Sequence, residues 1–428
     1  MLAYSKVFYW RLCINVCAAA IYFFVAFHFD FPSNIKDTLF SSPDSKEYSA
    51  MGDWMFHADG TTCSSTRPFL FPALVHVSYL LGGMTGVWLM NFIFYLCSVN
   101  LVFSAVRNLS GLFFAVIAVL IMLVNPGLIA ITFHALTEAA SFFLLSLLAW
   151  VISKRYEREN EALFWRYFFL PLALLAVIKP YFAFPFYLSL VLFAFRAVKR
   201  KELRTGKMLL RVFIYCFPVL LQFGIMFSQF GKFKLSTIGE VTLRNYYYSK
   251  FYADKHGISY DLEVGPTDSC QSLVRQKVAG ASESEMLRDI FSSPVDAFGI
   301  YFGVIRLNLI SPSDLQMKAQ YRSERLDLYS YHTNVRYFRI HQFILMVLAL
   351  FLWLTRKQQE KWVPAFVLLF FELLIIGVSG ISYWQGDRLV LPALPLWITL
   401  YTYLLYECFR ALRHLRGGLH SEYHGSSL

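Results

Sequence analysis

Long apolar runs, separated by short polar stretches rich in Lys and Arg, organise the chain from end to end. Runs of roughly 18 to 25 apolar residues have the length of a bilayer-spanning helix. Read that way, spans fall at 8–29, 68–106, 112–124, 128–152, 163–177, 182–197, 209–230, 340–355, 363–383 and 389–409. The pattern predicts an all-α polytopic membrane protein with about ten transmembrane helices. The second run is too long for one crossing and carries Gly82-Gly83, so 68–81 reads as a short or interfacial segment packed beside a true span that starts at Met84. The first run follows Lys6 and Arg11, is longer than the apolar core of a signal peptide and is not followed by a small-residue cleavage site. It is expected to stay as a spanning helix.

Composition agrees with a bilayer as solvent, since 57% of residues are hydrophobic and only 16% are charged. The formal charge of +11 does not read as a nucleic-acid surface, because the basic residues punctuate hydrophobic runs and form no compact patch. They do orient the chain. With residue 1 on the cytoplasmic side, the ten-span reading places Arg107, the 154–166 and 196–211 clusters, Arg356, Lys357, Lys361, Arg410, Arg413 and Arg416 on that side too. The short loops on the opposite side keep only five bases: Lys36, Lys46, Arg67, Lys179 and Arg388. Both termini are thus expected to be cytoplasmic.

The division that follows is an N-terminal membrane module (1–231), a large extracytoplasmic loop (232–337), C-terminal transmembrane helices (338–410) and a cytoplasmic tail (411–428). The first outer loop, 30–67, is acidic, with Asp30, Asp37, Asp44, Glu47, Asp53 and Asp59. In the larger loop, Ser282 and Glu285 form a capping-box pattern ahead of Met286, Leu287 and Ile290. Most cysteines lie in spans. Cys63 and Cys270 lie in the two outer loops and could pair there, and no Cys/His spacing of a zinc site occurs.

Several polar residues could carry chemistry. Asp44, in Ser42-Pro43-Asp44-Ser45-Lys46-Glu47-Tyr48, could take a proton from a hydroxyl or hold a metal; equally, Pro-Asp-Ser is ordinary turn chemistry. Arg67, at the start of an apolar segment, has a planar fork suited to phosphate, or snorkels to the interface. Glu138, preceded by His134, sits about ten residues into the fourth span, where an ionisable group signals a site or an ion pair. Lys179 precedes Pro180 at the outer end of its span, where the helix should break. Arg388 is the one base in the turn 384–388; it could bind an anionic headgroup or pair with Asp387. Glu372 reads as a structural hydrogen bond or ion pair, and His76, His134 and His341 as membrane-facing or interfacial residues.

Taken in order, these segments resemble the GT-C class of membrane glycosyltransferases that use polyprenyl-phosphate sugars, and in particular the bacterial mannosyltransferase and aminoarabinose-transferase superfamily. The resemblance rests on Pro43-Asp44-Ser45 with Tyr48, Arg67-Pro68 with Pro72, Leu136-Thr137-Glu138, Lys179-Pro180, Pro294 with Tyr301, and Asp387-Arg388 with Pro392 and Pro395. It implies a GT-C-like fold and an inverting transfer of a sugar from polyprenyl phosphate to an acceptor glycan, lipid or protein on the outer face of a bacterial inner membrane.

Asp44 would be the catalytic base and Arg67, Lys179 and Arg388 the phosphate clamp. Glu47, Tyr48, Glu138, His134 and Asp387 would support the site or the acceptor. Mg2+ or Mn2+ would be held, if used, by Asp44 and Glu138. Membrane lipids are the surroundings, and a monomer is expected. The paired acids of many members are missing, since Ser45 follows Asp44. A lipid-linked sugar flippase or transporter is the alternative from another class. An O-antigen ligase or polymerase with a pyrophosphate-linked donor is a third, loosely met by Arg322, Arg325 and His332.

Overall fold

The computed structural model describes residues 2–28, 35–57, 65–155, 161–199, 206–258, 260, 269–310, 343–355, 362–382 and 386–424. Among these every regular element is helical and no strand occurs. Helix α1 (Leu2–His28) leads into a single turn, α2 (Ile35–Thr38), and then α3 (Pro43–His57). The bent α4 (Leu70–Ser110), α5 (Leu112–Leu123) and α6 (Pro126–Ala130) precede α7 (Thr137–Arg155), α8 (Glu161–Ile178), α9 (Ala183–Lys199) and α10 (Gly206–Phe230). A group of shorter helices follows: α11 (Ile238–Thr242), a π-helical turn (Leu243–Tyr248), α12 (Ser249–Lys255), α13 (Ser269–Val278), α14 (Glu283–Ser292) and α15 (Pro294–Ile310). The chain ends on α16 (Phe343–Leu354), α17 (Trp362–Ser379) and α18 (Leu394–His424).

Six of these helices are long and apolar enough to cross a membrane, and eight if each of two bent pairs is one crossing, counted among the described residues. This is a multi-pass membrane protein, and among the described residues six to eight of the ten expected crossings meet that test. The largest difference is at 128–152, read as one span. Asn125 caps α6, with Pro126 at its first position, and the chain then passes through a 3-10 turn (Ile131–Phe133) before α7 starts at Thr137. The first part of that run therefore belongs to the preceding arm, bent by 64°. Among the described residues the runs at 163–177 and 340–355 fall in α8 and α16, whose apolar stretches are Tyr167–Ile178 and Phe343–Leu354.

Helix α7 is the centre of the bundle. Its apolar window is 78% buried, against 22% for those of α1, α9 and α10, whose apolar faces are largely exposed at the rim. Long α4 packs along α7, and α18 packs against both. Gly82 and Gly83 leave helical geometry, Gly83 with φ +60°, so α4 is two arms as its sequence predicts. The arms pack so tightly that a Cβ on Gly86 would lie 2.1 Å from the Ser78 carbonyl oxygen. The capping box of α14 forms as the sequence reads, with Ser282 and Glu285 exchanging hydrogen bonds.

Two of the histidines, His76 and His134, are buried inside the protein and do not face the membrane. His76 is buried, stacked on Phe56 with centroids 4.6 Å apart and 3.0 Å from Asp53. His134 is buried too, in the turn between α6 and α7, because the connection threads the core instead of facing lipid. Glu372 is buried on α17. His341, Cys63, the Cys270 side chain, Arg322, Arg325 and His332 lie outside the described residues, and the Cys63–Cys270 pairing with them; Cys13, Cys17, Cys97, Cys216 and Cys408 are free.

Candidate functional site

Ser42 starts the site by capping α3: its Oγ accepts the Ser45 amide at 3.1 Å, with Pro43 in the first helical position. The segment is thus a helix start and not a solvated turn. It places Asp44 in the first turn, where a carboxylate is favoured by the exposed amides and the helix dipole. Glu47 and Tyr48, three and four residues on, share that face. All three meet Arg67 across the loop. Arg67 Nη2 donates to Asp44 Oδ1 at 2.5 Å, Nε to Glu47 Oε2 at 2.8 Å, and the guanidinium lies 4.9 Å from the Tyr48 ring centroid. Thr66 donates to the other Glu47 oxygen at 2.5 Å.

Glu138 enters by the same device from the opposite side. It occupies the first turn of α7, not the middle of a span, and is 1% exposed. The connection that delivers it is pinned on both flanks: Asn91 on α4 donates to the Thr132 and His134 carbonyls at 3.1 and 2.9 Å, and Ala135 donates to the Leu39 carbonyl at 2.9 Å. Thr132 Oγ1 also lies 2.6 Å from Tyr22 Oη. Lys179 follows the end of α8 in extended geometry, before the 3-10 turn Pro180–Phe182, and its Nζ reaches Glu138 Oε1 at 3.3 Å. The helix break predicted at Lys179-Pro180 is what turns this ammonium inward.

Arg388, on the 3-10 turn Gly386–Leu389, joins the two halves. Its Nη2 donates to Asp44 Oδ2 and its Nε to Glu138 Oε1, each at 2.8 Å. The result is a continuous line of alternating charge, Glu47, Arg67, Asp44, Arg388, Glu138, Lys179, drawn from five separate stretches of chain. Burial by itself would raise the Asp44 carboxyl, but the guanidiniums of Arg388 and Arg67 outweigh it and hold the group down at about 2. Arg67 and Arg388 are pushed above their already high ordinary values by these same anions, against the opposing effect of burial.

This line borders a cavity of about 390 Å³, a size suited to a small polar group. Asp44, Tyr48, Arg67, Glu138, Lys179 and Arg388 all line it, with Tyr246 of the π-helical turn on the far wall. π-Helical turns recur at functional sites. Glu47 stands behind Arg67, and neither His134 nor Glu372 borders the cavity. Asp387 shares the turn of Arg388, its side chain lying outside the described residues. A divalent ion bridging Asp44 and Glu138 does not fit this arrangement, because the Arg388 guanidinium sits between the two carboxylates. Among the described residues no three His, Cys, Asp or Glu side chains come together as a metal site.

Sequence reading missed the residues that fix Arg67. Gln222, buried on α10, accepts the Phe69 amide at 3.0 Å and donates to the Leu235 carbonyl at 2.6 Å. Thr237 donates its amide to the Ser65 carbonyl at 2.9 Å, and the two hydroxyls are 3.0 Å apart. A glutamine within an apolar span was the available signal. Compared with protein-family models, curated proteins and solved structures, the chain gives no match.

Proposed function

We propose that this protein is a membrane glycosyltransferase of GT-C-like build, moving a sugar from a polyprenyl-phosphate carrier to an acceptor hydroxyl with inversion. The observation that carries the reading is the position of Asp44: one carboxylate held between two guanidiniums at the edge of a small cavity in a membrane protein. Such a group is ionised at neutral pH and is ready to accept a proton, yet clamped by Arg67 and Arg388 it is a weak base.

A phosphate arriving in the cavity offers the same two arginines a better partner, since a forked guanidinium binds phosphate oxygens in pairs. Partner exchange frees Asp44 as the donor docks, so basicity rises only when substrate is present. Asp44 then removes the acceptor proton, the acceptor oxygen attacks the anomeric carbon, and the carrier phosphate leaves with the bonding electron pair. Arg67, Arg388 and Lys179 neutralise the charge that grows on that phosphate. Glu138 keeps Arg388 and Lys179 aimed at it in the interval.

The helices that begin or end at this site carry bases at their other ends, Lys154 and Arg155 on α7, Arg196 and Lys199 on α9, Arg410 and Arg413 on α18. That polarity supports a site on the extracytoplasmic face. Incubating the purified protein with radiolabelled polyprenyl-phosphate sugars and a membrane-lipid or glycan acceptor tests the reading. Label must leave the carrier and appear on acceptor; movement of intact carrier across a vesicle bilayer without bond cleavage would replace this reading with a flippase.

A further inference from the structure

A second cavity, of about 700 Å³, lies far from the charge line, between the junction of α4 and α5 at Ser110 and Gly111 and the Phe409, Arg410 and Arg413 side of α18. Arg410 is sixteen residues along α18 from Leu394, about 24 Å at the helical rise, so this cavity opens at the opposite membrane face from the candidate site. Three independent features there favour an anion.

The first is the start of α5, a twelve-residue helix whose Gly111 cap supplies no side chain. Its amides at Leu112, Phe113 and Phe114 precede the first intrahelical bond, made by Ala115 to the Gly111 carbonyl, and they edge the cavity. The second is Ser110, which is 3% exposed and whose Oγ has no hydrogen-bond partner. A buried hydroxyl without a partner is destabilising, and a bound acceptor would satisfy it. The third is charge. Arg413 has no ion pair among the described residues, and Arg410 is held only loosely, 3.4 Å from Glu407. Around these polar groups the walls are lipid-facing: Leu112, Phe113 and Phe409 are 42%, 71% and 54% exposed.

We propose that this cavity binds the phosphodiester headgroup of an anionic phospholipid in the leaflet opposite the candidate site. The α5 amides and Ser110 Oγ donate to the phosphate, Arg410 and Arg413 supply the charge, and the acyl chains lie along Phe113 and Phe409. The site is independent of the transfer reaction and asks only that the protein be in a membrane. Basic pockets between transmembrane helices are suited to such headgroups.

The test is thermal unfolding and native mass spectrometry of the full chain, in phosphatidylcholine nanodiscs with and without phosphatidylglycerol. Wild type should retain phosphatidylglycerol and melt higher when it is present. Arg410→Ala with Arg413→Ala should bind it on the order of tenfold more weakly. Arg410→Lys with Arg413→Lys, which keeps the charge, should retain most of the effect. Ser110→Val is a second probe, since it removes the donor without touching charge and should weaken binding with the arginines intact. In pure phosphatidylcholine the variants should melt with wild type, which separates lost binding from lost folding. Equal melting of wild type in both discs, unaltered binding by the double Ala and Ser110→Val variants, or stabilisation by inorganic phosphate in detergent with none by lipid, would each overturn the proposal.

Discussion

Arg388 holds Asp44 and Glu138 at once, donating from Nη2 to one and from Nε to the other at 2.8 Å, although 344 residues separate it from Asp44. Each carboxylate sits in the first turn of its helix, so the two helix starts of α3 and α7 face each other across one guanidinium. That geometry makes Arg388 both the structural bolt of the site and, under the proposed reaction, the group a donor phosphate must win over. The two roles are separable by substitution.

Arg388→Gln removes the charge and leaves two carboxylates facing each other, with Glu138 almost wholly buried. Breaking a buried pair from one side costs about 3–5 kcal/mol, so this variant should unfold at markedly lower denaturant than wild type. Arg388→Lys keeps the charge and loses the fork. It should hold most of the stability while kcat/KM for a polyprenyl-phosphate sugar falls at least ~10-fold, because an ammonium cannot span Asp44 and Glu138 together. Equal kinetics in Arg388→Lys and wild type would remove Arg388 from the clamp.

Asp44→Asn is nearly isosteric and can still accept one guanidinium bond, so the protein should remain folded in detergent. Transfer should drop on the order of 10²–10⁴-fold, the usual contribution of a positioned base. A scintillation assay for label on acceptor reads this directly. Full activity in the variant would end the case for Asp44 as base.

The pH dependence has a definite sign. Asp44 lies at about 2 in the folded protein against an ordinary value of 3.8, so its pairing contributes stability that is fully present above 3.8 and is lost as pH falls through about 2. Acid unfolding followed by intrinsic fluorescence should therefore steepen in that window, and Asp44→Asn should flatten it. For the same reason an acidic limb in kcat/KM above about pH 4 should be unchanged by Asp44 variants, since kcat/KM reports the free enzyme.

Much of this site could be read from residue order because its chemistry is local. Asp44 beside Pro43, Arg67 before Pro68, Lys179 before Pro180 and Arg388 after Gly386 each stand where a helix starts or stops, and breaks in apolar runs expose charge by necessity. Glu138 joins the charged line, but from a helix start and not from within a span. Its apolar surroundings read as continuous span because 128–136 is as hydrophobic as any helix, whereas Asn125-Pro126 and the carbonyl contacts of Asn91 unwind it. The bonds that hold such a segment come from residues far away in sequence, and hydropathy carries no record of them. The same holds for His76 and His134, whose burial depends on partners rather than on composition.

Gly86→Val tests the fold of α4 apart from any chemistry. A Cβ there would approach the Ser78 carbonyl oxygen to 2.1 Å, a contact with backbone that no side-chain rotation relieves. The two arms must splay, at a cost above roughly 3 kcal/mol. Low yield of folded protein in size-exclusion chromatography is the expected outcome; wild-type stability would mean the arms are not packed as described.

Gln222→Leu addresses how Arg67 is kept in place from outside the cavity. Among the described residues Gln222 makes no hydrogen bond to the charged groups, yet it ties the start of α4, through the Phe69 amide, to the irregular passage at Leu235 that leads to Thr237 and Ser65. Leucine matches its volume and strands one amide and one carbonyl in a buried place, costing about 1–3 kcal/mol for each. The loss should reach the reaction through geometry: Arg67 keeps its charge but not its fixed position, so KM for the lipid donor should rise more than kcat falls. Gln222→Glu, which preserves the acceptor for Phe69, should restore part of the donor affinity relative to Gln222→Leu. If both variants lower kcat and leave KM untouched, Gln222 acts on general stability alone and Arg67 is held by Asp44 and Glu47 without its help.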